Sequence, residues 1–213
     1  MTMRLIPHTA PTASGLSASG HARSIANKVA FGECASNATA TLQTRAHELV
    51  VTDSIAGKVH ALGTWREPSV HAHLETILGA LLAPALRSDL EWYQCRGAFF
   101  HNDAHYDARL FGIWCIAGPP AELVFPRAAI RLAAGPGSIS VFDPFEVHGV
   151  LAPNLCAYSA DDYSDAEVSV FLGFELDITP AIAAAFGINS GMHGRLISSH
   201  TRIAATSGAL DSD

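Results

Sequence analysis

The hydrophobic period of the sequence changes near Leu90, and this change limits the folds open to the chain. Before this point apolar residues recur at helical spacing, and after it they alternate with polar ones, as in strands. Turns rich in Gly and Pro, such as residues 118–120 and 135–137, separate the later segments by only a few residues. Strands this close leave no room for crossover helices, so a mostly antiparallel sheet is expected, as in a jelly roll or a sandwich barrel. The expected strands are Glu91 to Arg96, Ala98 to Asp103, Leu110 to Ala117, Glu122 to Arg127, Ala129 to Ala133, Ser138 to Phe142, His148 to Leu151 and Val168 to Leu176.

Two helices are predicted ahead of these strands. The first runs from Ala38 to about Leu62, with Asn37 as its cap. The second has Ser69 as a capping residue, shows apolar residues at helical intervals, and is stopped by Pro84. The chain is therefore expected to begin its ordered part with helices and to continue with strands.

A single domain accounts for the whole pattern. Thr179, Pro180 and Gly187 are typical of the cap, the first turn and the end of a short helix after the last strand. The start of the chain is rich in Ala, Ser, Thr and Gly without a period, and its end is polar and short of aromatic residues. The expected organisation is a poorly ordered lead-in at 1–37, one catalytic domain at 38–189 with helices at 38–89, a barrel at 90–176 and a short helix at 180–186, and a mobile tail at 190–213.

Composition excludes several classes of protein. At 213 residues the chain can bury one substantial core, and its 15% charged and 49% hydrophobic residues suit a globular body. A net charge of -7 argues against a nucleic-acid partner, because phosphate binding needs clustered Lys and Arg. There is no apolar run of the ~18 residues that a membrane span needs and no secretory signal, so a cytoplasmic protein without a membrane partner is expected. The four cysteines lack a C-x-x-C spacing, which favours reduced, mostly buried thiols.

One short stretch concentrates metal-binding side chains on one face. In an extended strand His101, Asp103, His105 and Asp107 all point the same way, because side chains alternate between faces. Two imidazoles and one carboxylate form the 2-His-1-carboxylate triad that binds Fe(II) and leaves positions open for oxygen and substrate. The distant second imidazole is supplied by His148, which follows a Gly turn and a hydrophobic strand.

The order of these features resembles the Fe(II)/2-oxoglutarate-dependent dioxygenases, and among them the prolyl-hydroxylase-like branch, over roughly residues 91–176. The matching segments are His101-Asn102-Asp103, the apolar strand Phe111 to Ile116, Glu122 to Pro126 with its Phe-Pro end, Gly137 through Phe142, and His148. The resemblance implies a mainly β double-stranded β-helix, a jelly-roll or cupin-like barrel with flanking helices. It also implies iron bound by His101, Asp103 and His148, 2-oxoglutarate and dioxygen as co-substrates, and oxidation of a C–H bond of a small-molecule or peptide substrate, with succinate and CO2 as products.

The stretch offers two overlapping H-x-D triplets. We prefer His101 and Asp103 as the ligand pair, because this choice leaves a turn before the next strand at Leu110, whereas His105 and Asp107 leave almost none. The pair His105 and Asp107 remains the alternative. If it is not the ligand pair, it either supports the ligands and substrate or belongs to an ordinary polar turn.

The resemblance breaks at the residue that should bind 2-oxoglutarate. The family commonly places an Arg near the start of the last barrel strand, where it pairs with the distal carboxylate, and here that position is Glu167. Arg127 and Arg131 on the middle strands are the candidates to replace it, with Arg109 third. The alternative for each arginine is a surface ion pair.

Two other functions stay open. The first is a cupin-like metal-dependent enzyme or binding protein that does not use 2-oxoglutarate. Residues 136–154 suit the second motif of a cupin, but the H-x-H and following Glu of the first motif are missing. The second is a degenerate barrel that serves as a binding or scaffold module. Metal content and succinate formation distinguish the three.

Overall fold

The computed structural model describes residues 3–8, 13–16, 20–34, 40–50, 54–106, 108–165, 167–191 and 194–211. The described strands are β1 (Arg4–Pro7), β2 (Ala13–Leu16), β3 (Ala22–Ser24), β4 (Lys28–Glu33), β5 (His60–Trp65), β6 (Leu86–Cys95), β7 (Ala98–His101), β8 (Arg109–Ala117), β9 (Glu122–Phe125), β10 (Ile130–Ala133), β11 (Ser138–Phe142), β12 (His148–Leu151), β13 (Ser169–Asp177) and β14 (Arg195–Ile197). The α-helices are α1 (Ala40–Leu49), α2 (Pro68–Leu82) and α3 (Pro180–Phe186), and single 3-10 turns lie at Ala83–Ala85 and Ala160–Tyr163.

Strands β6 to β13 are divided equally between two facing antiparallel sheets. The larger sheet has the order β1-β4-β11-β8-β13-β6-β5, and the smaller one has the order β10-β9-β12-β7. The chain therefore crosses between the two sheets at every connection of this region except the β9–β10 hairpin, which stays in the smaller sheet, and this is the topology of a double-stranded β-helix. The expected jelly-roll, cupin-like barrel is confirmed, and all eight predicted strands lie close to their predicted positions.

The larger sheet is buried on both faces, because its strands send alternate side chains to opposite sides. On one face Trp92 and Trp114 pack with the helices, in a cluster that includes Leu74 of α2. On the other face Phe111 and Phe171 point into the barrel and meet Phe125 of the smaller sheet. Burial of one such side chain contributes about 1.5 to 3 kcal/mol. The helices thus cover the back of the sheet and leave the barrel interior for the site.

The start of the chain differs from the prediction of a poorly ordered lead-in over residues 1–37. In its described part, β4 pairs with β11 and β1 pairs with β4, so these strands extend the larger sheet. Strands β2 and β3 are only four and three residues long and show little periodicity. Their pairing with distant segments, rather than local propensity, accounts for these strands.

The end of the chain is also ordered where it is described, contrary to the mobile tail predicted over 190–213. Strand β14 pairs in parallel with β2 and joins the two ends of the chain in a small third sheet. The N–H of Phe100 on β7 donates a hydrogen bond to the C=O of Ala205 at 2.9 Å. The last segment therefore covers the edge of the smaller sheet.

The helices match the predictions in part. Helix α1 ends at Leu49, and β5 occupies the last part of the predicted 38–62 helix, because these residues pair with β6 at the sheet edge. The predicted cap Asn37 lies outside the described residues. Helix α2 is capped by Glu67, whose carboxylate accepts a hydrogen bond from the Ser69 N–H at 3.3 Å, so the prediction of Ser69 as the cap was wrong.

Helix α3 confirms its predicted ends. The Thr179 hydroxyl accepts a hydrogen bond from the N–H of Ile182 at 3.3 Å, and Gly187 has the left-handed conformation that ends the helix. In the part of the chain that the structure describes, no helix combines the length and apolar character needed to cross a membrane. All four cysteines are free thiols; two are buried, Cys34 is half-buried and Cys156 is exposed.

Candidate metal centre and its cavity

The three predicted ligand side chains lie together at one end of the barrel. His101 is the last residue of β7, and it stands directly opposite His148, the first residue of β12. Their ring centroids are 4.5 Å apart. Asp103 follows in the turn after β7, and its Oδ2 atom lies 3.4 Å from Nε2 of His148 and 3.8 Å from Nε2 of His101. Strand pairing and a tight turn thus bring together residues from two distant segments.

Backbone carbonyls orient both imidazoles. Nδ1 of His101 lies 2.7 Å from the C=O of Phe99, and Nδ1 of His148 lies 2.9 Å from the C=O of Glu146. A carbonyl oxygen only accepts hydrogen bonds, so each Nδ1 carries the proton and each Nε2 keeps its lone pair. Both lone pairs are then available to a cation beside Asp103, in the arrangement that metal-binding histidines commonly show.

The backbone around the three residues is closely packed. The N–H of Asp103 donates a hydrogen bond to the C=O of Pro144 at 2.8 Å, which ties the turn after β7 to the loop before β12. A Cβ atom at Gly149 would lie 2.9 Å from the C=O of Ala98, so the glycine beside His148 permits the close approach of the two strands. The ligand residues are held by the framework rather than by a free loop.

The electrostatics of the cluster favour the protonation states that bind a metal. Burial, together with the charge of His148, lowers the pKa of His101, although Asp103 partly opposes this effect. Burial alone would raise the pKa of Asp103, but the neighbouring imidazoles of His148 and His101 outweigh it and the pKa is lowered. A neutral imidazole and an ionised carboxylate are the forms that coordinate cations.

The donor set fits a divalent metal ion. Two ligand atoms that are each about 2.1 Å from one ion can be at most about 4.2 Å apart. The distances of 3.4 and 3.8 Å from Asp103 to the two imidazoles satisfy this limit. Imidazole and carboxylate ligands on one side of an ion are typical of non-haem Fe(II) sites.

The cluster opens into a cavity of about 360 Å3 inside the barrel. This volume lies in the range of pockets that enclose small organic ligands. Its wall consists mostly of aliphatic and aromatic side chains and includes none of the lysines or arginines that the structure describes. The lining residues are Val59, Ala61, Glu91, Tyr93, Cys95, Ala98, His101, Asp103, His105, Tyr106, Phe111, Ile113, Leu123, Phe142, His148, Val150 and Phe171.

A second polar group in the wall was missed by the sequence analysis. Glu91 and Tyr93 on β6 point into the cavity, while Trp92 between them packs towards the helices. The Tyr93 hydroxyl donates a hydrogen bond to Oε2 of Glu91 at 2.5 Å, and the Tyr106 hydroxyl lies 3.4 Å from that of Tyr93. The alternation along β6 is the sequence signal that places Glu91 and Tyr93 on one face.

The alternative ligand pair is described only in part. His105 lines the cavity, and its ring lies 4.0 Å from the ring of Tyr106. Asp107 lies outside the described residues. Among the described residues, the cluster that can hold a metal ion consists of His101, Asp103 and His148. The structure therefore brings together the preferred set of ligands.

Two of the arginines considered for 2-oxoglutarate form ion pairs outside the cavity. Arg131 contacts Oε2 of Glu122 at 2.5 Å and donates a second hydrogen bond to the C=O of Leu155 at 2.7 Å. Arg109 forms an ion pair with Glu175. Both guanidinium groups therefore contact carboxylates of neighbouring strands, and these contacts match the surface ion pairs that the sequence left open as an alternative role for the arginines.

Arg127 and Glu167, the position where the family commonly has its Arg, are also absent from the cavity wall. Arg127 lies 3.7 Å from Glu146, and both side chains are largely buried. Glu167 is exposed and borders a different surface pocket. Neither Arg127 nor Glu167 is among the residues that line the cavity.

Comparisons with known proteins give only distant structural likenesses. No protein-family model and no curated protein matches the sequence. A protein from Ralstonia eutropha JMP134 assigned as a mannose-6-phosphate isomerase is 12% identical over 59% of this chain and 93% of its own, with a TM-score of 0.32. A salicylate 1,2-dioxygenase from Pseudaminobacter salicylatoxidans is 13% identical over 73% of this chain, with a TM-score of 0.31, and this chain spans only 36% of its length. TM-scores at this level carry no conclusion about this chain.

Proposed function

We propose that the protein is a non-haem Fe(II)-dependent oxygenase that acts on a small organic substrate within the barrel and does not use 2-oxoglutarate. The observation that carries the proposal is the convergence of His101, Asp103 and His148 on one side of a cavity large enough for such a substrate. Three protein ligands on one side leave the other side of an ion open to the cavity.

The absence of a cation in the described cavity wall separates this proposal from the 2-oxoglutarate-dependent reaction. The distal carboxylate of 2-oxoglutarate needs a cationic or strongly donating partner, and a bidentate Arg serves this purpose best. Arg131 and Arg109 are paired with Glu122 and Glu175, and Arg127 lies beside Glu146. A wall that presents Glu91 instead would repel the co-substrate.

In this proposal the metal ligands and the aromatic side chains of the cavity have different roles. His101, Asp103 and His148 would hold the ion, and a bound Fe(II) would supply the redox chemistry that joins dioxygen to the substrate. The aromatic side chains Phe111 and Phe142 exclude water and orient the substrate by packing. Because no co-substrate supplies electrons, the substrate itself is oxidised, and both atoms of dioxygen enter the product.

Oxygen consumption by the Fe(II)-loaded protein tests the proposal. A panel of small phenols and aromatic amines is offered with and without 2-oxoglutarate, and product is analysed after reaction under 18O2. We expect oxygen uptake with at least one compound, without 2-oxoglutarate or an added reductant, two labelled atoms per product, and loss of uptake in His148→Ala. Stoichiometric succinate would establish the 2-oxoglutarate reaction instead. No uptake with any compound would contradict the proposal.

A further inference from the structure

The cavity has a polar end formed by Glu91, Tyr93 and Tyr106, distinct from the three ligand residues. Glu91 and Tyr93 come from β6 of the larger sheet, and Tyr106 comes from the segment between β7 and β8. Tyr106 also stacks on Phe111, with ring centroids 5.2 Å apart, so its position is fixed by packing. The three side chains form one connected hydrogen-bonded group in the wall.

This polar end offers acceptors rather than donors. The proton of Tyr93 is directed to Oε2 of Glu91, which leaves the Tyr93 oxygen as an acceptor. None of the ion pairs between described residues involves Glu91, although Arg87 and Arg109 on the same sheet pair with Glu175. A half-buried carboxylate without a countercharge is stabilised by a ligand that brings a positive charge or a hydrogen-bond donor.

The remainder of the cavity wall suits a ligand that contains an aromatic ring. Phe111, Phe142 and Phe171 line the cavity together with the faces of the tyrosines. Aromatic faces attract cations and pack well against flat rings. In the described wall the groups able to carry a positive charge are imidazoles, two of which face the candidate metal ion. A ligand with a carboxylate or phosphate directed at Glu91 would meet only repulsion there.

We propose that Glu91 determines substrate specificity, and that the cavity accepts compact aromatic molecules whose tail is an ammonium or hydroxyl group while it rejects those with an anionic tail. Tyr93 positions the Glu91 carboxylate. This inference rests on the proposed function only in placing the substrate in the same cavity, and it concerns binding rather than oxidation.

Three phenols of similar size and different charge test the inference. Tyramine, 4-(2-hydroxyethyl)phenol and 4-hydroxyphenylacetate carry an ammonium, a hydroxyl and a carboxylate tail, and their binding to the Fe(II)-loaded protein is measured by calorimetry without oxygen. We expect tyramine to bind at least about 10-fold more tightly than 4-hydroxyphenylacetate, the lower range for a charge-assisted hydrogen bond. In Glu91→Gln this ratio should fall towards one with unchanged iron content. In Tyr93→Phe it should fall less.

Glu48→Gln is the matched control, because it makes the same change on the exposed pair that Glu48 forms with Arg45 on α1. The ratio should stay unchanged in this variant. Equal or tighter binding of the anion, an unchanged ratio in Glu91→Gln, or no binding of any probe at millimolar concentration would each overturn the inference. Because oxygen is absent, failure of the oxygenase proposal would appear separately, as tyramine binding without oxygen uptake.

Discussion

Asp103 and Asp143 are both carboxylates beside the end of a barrel strand, but their surroundings are opposite. Asp143 is 2% exposed and lies in the loop between β11 and β12. Its oxygens accept hydrogen bonds from the Arg23 guanidinium at 2.5 and 3.0 Å and from the N–H groups of Ala26 and Phe145 at 2.8 and 3.1 Å. Protein donors therefore surround it.

Asp103 has a side chain that is 26% exposed and faces the cavity. Among the described residues, it faces the imidazoles of His101 and His148, at 3.8 and 3.4 Å, and both distances are longer than those of direct hydrogen bonds. A carboxylate whose oxygens accept hydrogen bonds from several protein donors stabilises the fold, whereas a carboxylate that faces the lone pairs of two imidazoles can bind a cation together with them.

The largest expected effect is on metal binding. Asp103→Ala and His148→Ala should each reduce bound Fe(II) from one equivalent per chain to background, because two remaining ligands hold iron weakly. Metal content after anoxic loading and desalting measures this effect. Asp143→Asn and His105→Ala are the controls and should keep one equivalent. Retention of iron in Asp103→Ala with loss in His105→Ala would show that the second H-x-D triplet is the ligand pair.

The next effect is on stability. Asp143→Ala should lower the free energy of unfolding by about 3 to 5 kcal/mol, because it removes the buried carboxylate that pairs with the Arg23 guanidinium and accepts hydrogen bonds from two backbone N–H groups. Urea unfolding of the metal-free protein measures the change. Asp89→Ala, which breaks the exposed pair with Arg66, should have no measurable effect. If the Asp143→Ala protein is as stable as wild type but no longer binds iron, Asp143 is the metal ligand rather than a structural residue, and this prediction is wrong.

A smaller effect is expected where an arginine was considered for 2-oxoglutarate. Arg131→Ala should cost about 0.5 to 1 kcal/mol of stability at pH 7, since its pair with Glu122 is partly exposed. The hydrogen bond from Arg131 lowers the pKa of Glu122 from 4.5, so the pair stabilises the fold above that pH and loses its contribution as pH falls through the lowered value.

Unfolding experiments at pH 7 and near pH 3 measure this difference between wild type and Arg131→Ala. The two proteins should differ at the higher pH and converge at the lower one, with equal iron content at pH 7. If the wild-type protein binds 2-oxoglutarate and the Arg131→Ala protein does not, Arg131 is part of a 2-oxoglutarate site and this prediction is wrong.

The barrel was predictable because its signals are local. Alternation after Leu90 and closely spaced Gly and Pro turns specify short antiparallel strands, and Thr179 with Gly187 specifies the ends of α3. Parity along one strand placed His101 and Asp103 on the same face, and the order of segments indicated His148. These predictions needed no knowledge of distant contacts.

The remaining features depend on contacts between distant residues. Strands β2 and β14 pair across nearly the whole length of the chain, and neither has a strong pattern of its own. The partner of Arg131 is set by the register of β9 and β10, which pairs it with Val124 and places it near Glu122. Likewise, only the closed barrel reveals that Glu91 faces the same cavity as the ligands.

The metal centre is tested most directly by a crystal structure of the protein grown with Fe(II) under anoxic conditions, with anomalous diffraction recorded at the iron absorption edge. We expect one strong peak about 2.0 to 2.2 Å from Nε2 of His101, Nε2 of His148 and an Oδ atom of Asp103, with the open side of the ion towards the cavity. An iron-loaded crystal with no peak at this position, or with the peak on His105 and Asp107, would contradict it.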